Sequence, residues 1–135
     1  MNNDRFRFRA WNPKTKTMHE VRQIDWDNHD SYEICLSCDS KYYGRDELIL
    51  LQCTGLKDSD GSLIWEGDLV YVTSNNGNVT GQVKYEEDGF VLDYYNEYIG
   101  GSIMPGLSTW EESNRKVIGN IYENPEFLKR NNDRG

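Results

Sequence analysis

The sequence predicts a mainly β protein with minor α content: a small N-terminal β-sheet unit, a small β-barrel after it, and a short C-terminal helix. Three observations carry that reading. Short segments alternate apolar and polar side chains with period two, turn-forming clusters separate them at close spacing, and no apolar pattern of helical period runs through any long stretch. Among 135 residues there are nine Tyr, four Trp and four Phe. Large rings therefore supply core area although only 36% of the residues are hydrophobic, and that content argues against a disordered chain.

The first segment, Arg5-Phe6-Arg7-Phe8-Arg9-Ala10-Trp11, alternates strictly, with Phe6 and Phe8 on one face and Arg5, Arg7 and Arg9 on the other. It reads as a half-buried strand. Pro13 presets a turn at residues 12–16, and Met18, Val21 and Ile24 mark a returning strand or extended segment that ends at Trp26. Asp25, Asp27 and Asp30 fall in a polar turn. Tyr32, Ile34 and Leu36 alternate as a third strand, and residues 45–52 are either a strand or a single helical turn.

The best fold signal lies at the centre. Leu56-Lys57-Asp58-Ser59-Asp60-Gly61 is turn chemistry, because Asp and Ser bond their own backbone and Gly tolerates positive φ. Leu63 to Trp65 is apolar, Glu66-Gly67-Asp68 bends the chain, and Leu69 to Val72 resumes a strand. Asn76-Gly77 predicts a type I′ hairpin turn, with a strand returning over Val79–Tyr85. Another turn at 86–89 leads to a strand over Phe90–Tyr94. Residues 95–110 read as a long loop with at most a short strand, Lys116–Tyr122 as a closing strand bent at Gly119, and residues 124–129 as a short helix with Asn124 as N-cap and Pro125 at its first position. The tail 131–135 is expected to fray. About five short strands after Gly61 close into a small barrel, which removes exposed edges. The expected division is 1–55 for the N-terminal unit, 56–124 for the barrel and 125–135 for the helix and tail.

A net charge of −8 sets the balance against nucleic acid, whose phosphates call for Lys and Arg, and against anionic membrane surfaces. No apolar run approaches the roughly 20 residues that span a bilayer. The N-terminal residues lack the apolar core of a signal peptide, so a cytosolic protein is expected.

Chemistry-bearing patterns are few. Cys35 and Cys38 have CxxC spacing, but a zinc site needs a second such pair and a redox pair needs a helix start. Here the segment alternates like a strand, and only Cys53, His19 and His29 remain as further ligands. The three cysteines read as free thiols, with a metal or redox role at Cys35/Cys38 as an alternative. Asp25, Asp27 and Asp30 do not fit the calcium-loop pattern. Glu66 with Asp68, and Glu86 with Glu87 and Asp88, are paired carboxylates without an accompanying nucleophile or base. No phosphate-binding loop, nucleophile elbow or metalloprotease motif is present. Neither catalytic residues nor a cofactor are expected.

Three pieces of the chain together resemble the YopX protein family of phages and prophages of Gram-positive bacteria. They are Arg7-Phe8-Arg9-Ala10-Trp11; Cys53-Thr54-Gly55-Leu56-Lys57-Asp58 with Gly61 and Trp65-Glu66-Gly67-Asp68; and Val117-Ile118-Gly119-Asn120-Ile121-Tyr122-Glu123-Asn124-Pro125. They occur in the family's order and span nearly the full chain. The resemblance implies a mostly β fold with an SH3-like barrel in the C-terminal half. It implies no activity, and it does not cover Cys35 and Cys38.

The remaining candidates are surfaces. Tyr94, Tyr95, Tyr98 and Trp110 flank the long loop of the barrel half, where fold analogy places an aromatic binding groove; packing within the fold is the competing role for these rings. Arg7, with Arg5 and Arg9, forms either a solvated sheet face or a phosphate-contacting one. The expected function is that of a non-catalytic phage or prophage accessory protein binding another protein or itself as a homo-oligomer. The alternative is nucleic-acid binding through the arginine face with tyrosines stacking on bases.

Overall fold

Period-two segments pair into two antiparallel sheets, so the mainly β expectation holds. The computed structural model describes residues 3–127. Compactness divides the chain between Cys53 and Thr54, and each unit has its own core. Among the described residues no helix is long and apolar enough to cross a membrane.

The first unit contains β1 (Phe8–Asn12), β2 (Thr17–Asn28), β3 (Ser31–Leu36), β4 (Tyr42–Gly44) and the beginning of β5 (Ile49–Lys57), in the spatial order β4-β3-β2-β1-β5. Ala10 sits opposite His19 on one side and Leu50 on the other. It is fully buried with Ile34, Leu36 and Leu48, and Val21, Tyr32, Tyr43 and Leu50 close over that cluster. The turn after β1 is built by Asn12, whose side-chain oxygen accepts the Lys14 and Thr15 N–H groups, and Lys16 takes a positive φ of 57°.

Two expectations for this unit are corrected. The first strand begins only at Phe8, because Asp4–Phe6 forms a 3-10 turn closed by Phe6 N–H to Asn3 O and Arg7 N–H to Asp4 O, both 3.0 Å. Those local bonds break the alternation, so Arg5 lies on a turn and Phe6 is exposed. The second strand does not end at Trp26 but runs to Asn28, since Ile24 faces Ile34 and Trp26 faces Tyr32 across the hairpin. The Trp26 and Tyr32 rings lie 4.8 Å apart, a cross-strand pair that holds the acidic segment extended.

In the second unit β5 ends beside β6 (Leu63–Trp65). The second sheet has the order β10-β9-β8-β7-β11, built from β7 (Asp68–Ser74), β8 (Gly77–Glu86), β9 (Gly89–Asn96), β10 (Gly101–Ile103) and β11 (Arg115–Asn120). Alternate residues Val70 and Val72 of β7 enter a core with Ile64, Val83, Leu92 and Leu107. Leu107 arrives from a 3-10 turn (Leu107–Thr109) in the segment read as a long loop. That segment also holds β10.

The closed barrel expected over 56–124 does not form. Its sheet stays open between β10 and β11. The outer edge of β11 is already occupied: Ser59 N–H bonds Arg115 O at 2.7 Å, and Val117 N–H bonds the Asp58 carboxylate at 3.0 Å. A turn blunts the edge that barrel closure would need. The hairpin at 74–77 also differs from the expectation. Asn75 and Asn76 occupy its turn without positive φ, and Gly77 takes φ of 120°. Hence it is not a type I′ turn, which needs positive φ at both central residues.

The predicted helix begins at 125–127, with Phe127 N–H bonding Asn124 O at 3.2 Å. The rest of that helix and the tail lie outside the described residues. The Asn124 side chain turns back to accept the Asn120 N–H at 3.2 Å.

Candidate functional site

Three places concentrate unusual side-chain arrangements: the buried Asp58 network, the tip of the β9–β10 hairpin, and the His19–Cys38 contact.

Asp58 is 2% exposed. One carboxylate oxygen accepts the N–H groups of Asp60 and Ser62 at 3.0 and 2.9 Å, and the other accepts that of Val117. Burial pushes its pKa up. The three backbone N–H bonds outweigh that, with help from the Lys116 charge, and hold it below the ordinary aspartate value. Arg115 is 5% exposed, and its guanidinium donates to Lys57 O at 2.7 Å and to Trp110 O at 3.3 Å. Burial lowers its pKa, against the charges of Glu112 and Asp58. Asp68, equally buried, accepts the Trp65 N–H at 2.8 Å. Asn120 is a second hub: its oxygen accepts the Tyr122 and Glu123 N–H groups, and its nitrogen donates to Glu123. These bonds fix turns and strand edges. The two later motifs singled out in the sequence are scaffold, spaced so that short polar side chains replace missing strand partners.

The hairpin tip is different. Asn96 Oδ1 accepts the Tyr98 and Ile99 N–H groups at 2.9 and 3.2 Å, and Gly100, at φ 67°, returns its N–H to Asn96 O. The turn is thereby pinned while Tyr98 and Ile99 point outward, 99% and 65% exposed. Of the other candidate rings, Tyr94 meets Trp110 edge-on with centroids 6.1 Å apart. Trp110 packs on the second unit's core. Tyr95 is half-buried beside Ser102. The four aromatics thus do not form one surface: Tyr94 and Trp110 belong to packing, and Tyr98 projects alone. Sequence reasoning missed Ile99, which the loop assignment concealed.

The three arginines are not a bare cationic stripe. Arg7 forms an ion pair with Glu20, Arg5 stacks its guanidinium 4.8 Å from the Phe6 ring centre, and Arg9 stands opposite Glu20 in the sheet register. Phe6, Arg7, Phe8 and Ile24 line an open groove of about 380 Å³.

Cys35 and Cys38 have unlike surroundings. Cys35 and Cys53 are buried free thiols, and Cys38 is an exposed one. Cys38 Sγ lies 3.3 Å from His19 Nδ1, and His19 Nε2 lies 2.6 Å from Thr17 Oγ1. His19 therefore has a nucleophilic neighbour that its sequence position did not reveal. Among the described residues no group of three or more His, Cys, Asp and Glu side chains is arranged to hold a metal ion. Asp25 accepts from the Gln23 side chain instead, and the Asn28 oxygen accepts the Asp30 N–H.

No curated protein matches the chain. Among solved structures it is similar to protein EF1440 of Enterococcus faecalis, with 24% identity and a TM-score of 0.59, over 90% of this chain and 96% of that one. It is also similar to yopX of Bacillus subtilis, with 20% identity and a TM-score of 0.61, over 93% and 98%. At these identities the likeness speaks for the fold. The sequence profile of the YopX protein family matches residues 7–129, nearly the whole chain, and the protein therefore belongs to the YopX protein family.

Proposed function

We propose that this is a non-catalytic accessory protein of a phage or prophage, acting in the host cytoplasm by binding another protein. The observation that carries the reading is the pinned hairpin tip, which holds Tyr98 and Ile99 in solvent on a turn whose backbone bonds are satisfied. A large ring and a branched aliphatic side chain on a preorganised turn bury substantial apolar area on contact at little cost in ordering. The most buried carboxylates support the same view, since Asp58 and Asp68 are committed to backbone N–H groups. The engagement of Arg7 with Glu20 and of Arg5 with Phe6 favours a protein partner over nucleic acid.

The test is affinity capture from a Gram-positive host lysate, with and without nuclease, using the wild-type chain and a Tyr98→Ala/Ile99→Ala variant. The expected result is a protein retained after nuclease by the wild type and lost by the variant. Capture that vanishes with nuclease, or that the variant retains in full, overturns the proposal.

A further inference from the structure

The turn after β3 is tied to β2. Ser37 N–H donates to Glu20 O at 3.0 Å, and Ser40 N–H closes the turn on Leu36 O at 3.2 Å. That closure carries Cys38 onto His19, 19 residues earlier. One proton arrangement satisfies the whole chain of contacts: Cys38 S–H donates to His19 Nδ1, His19 Nε2–H donates to Thr17 Oγ1, and the Thr17 hydroxyl donates to Thr15 Oγ1 at 2.6 Å. This is a nucleophile beside a base, with the base oriented by a third group. The sulfur is exposed, so a small reactant reaches it.

The residue after Cys38 is held in a local network of its own. The neighbouring Asp39 carboxylate is fixed by the Lys41 N–H at 3.0 Å and the Tyr43 hydroxyl at 2.7 Å. These two bonds hold it below the usual aspartate range, and the nearby His19 adds to the effect.

We propose that Cys38 is a thiol-modification site at which low-molecular-weight disulfides are captured as a mixed disulfide, with His19 as the base and Thr17 as its positioning residue. His19 Nδ1 takes the thiol proton as Sγ attacks one sulfur of the disulfide. The S–S bond breaks, a new S–S bond joins Cys38 to that half, and the other half leaves as a thiolate that takes the proton back from the imidazolium. Cys38 sulfur is oxidised and the leaving sulfur is reduced, so the exchange balances with the disulfide as the only co-reactant. The reaction is stoichiometric and independent of the role proposed for the hairpin tip.

The experiment treats the full chain with excess dithiodipyridine, a neutral disulfide chosen because the protein carries a net charge of −8. Release of thiopyridone is followed, and the modified residue is located by mass spectrometry. One fast equivalent is expected per chain, absent in Cys38→Ala, with Cys35 and Cys53 silent until denaturant is added. His19→Phe is expected to slow that equivalent about tenfold and Thr17→Val about threefold, since the ring keeps its base but loses its orientation. A fast equivalent that survives Cys38→Ala overturns the proposal. So do rates for His19→Phe and Thr17→Val that both stay within about twofold of the wild type.

Discussion

Asp58 and Val117, 59 residues apart, are joined by a carboxylate oxygen accepting a backbone N–H at 3.0 Å. The contact substitutes a side chain for a neighbouring strand on the outer edge of β11. It gives residues 57–61 and 117–120, which carry the strongest motifs in the chain, a structural role.

Removing that acceptor orphans three backbone N–H groups at once, those of Asp60, Ser62 and Val117. Asp58→Ala is expected to destabilise the protein by about 2 kcal/mol, since three part-buried donors lose their acceptor together. Asp58→Asn keeps one oxygen and is expected to cost less. Urea unfolding checks this through a lower midpoint at an unchanged slope.

The same residue sets a pH dependence. Its folded pKa lies below its unfolded value, because the N–H bonds outweigh burial. Its contribution is therefore fully present above the unfolded value of about 3.9 and is lost as pH falls through the lower folded value. Stability measured against pH in the wild type should drop more steeply below about pH 4 than in Asp58→Asn. Parallel acid limbs in the two proteins would show that the carboxylate is not depressed.

Gly119 carries a further prediction. It sits at the register shift in β11 with φ of 156°, and a side chain there would meet Asn124 Cγ at 2.8 Å. Gly119→Ala is expected to cost about 2 kcal/mol or more, from backbone strain plus overlap with the amide that accepts the Asn120 N–H. Pairing it with Asn124→Ala should recover the overlap but not the strain, giving a non-additive double-mutant cycle. Additive losses would show that the amide is not the obstruction.

Much of this fold was legible because local chemistry agreed with the tertiary outcome. The Asp58–Ser62 turn, the strand through Val70 and Val72 and the bend at Gly119 follow from turn residues and alternation. What was not legible depended on long-range register or on competing local bonds. Arg5 to Arg9 alternate perfectly, yet i→i+3 bonds from Asn3 and Asp4 fold the first half into a turn. Barrel closure was a sound inference from strand count, but it could not foresee that a turn already covers β11. His19 and Cys38 meet only because β2 and β3 pair in one particular register with bulges. No spacing rule signals that contact, whereas the CxxC spacing pointed to Cys35, which is buried away on its strand.

The candidate rings separate cleanly by what they touch, and stability measurements distinguish their roles. Trp110 packs on the second unit's core and meets Tyr94 in a T-shaped pair, so Trp110→Ala is expected to destabilise the protein by about 3 kcal/mol through lost packing. Tyr98 is 99% exposed, and its backbone N–H rather than its ring is what the turn uses. Tyr98→Ala should therefore change stability by no more than about 0.5 kcal/mol. If partner capture falls for Tyr98→Ala while its unfolding curve overlays the wild type, the ring acts in recognition. A large stability loss for Tyr98→Ala would instead place the ring in a packed interface, and self-association measured by light scattering would then identify a second copy as the surface that covers it.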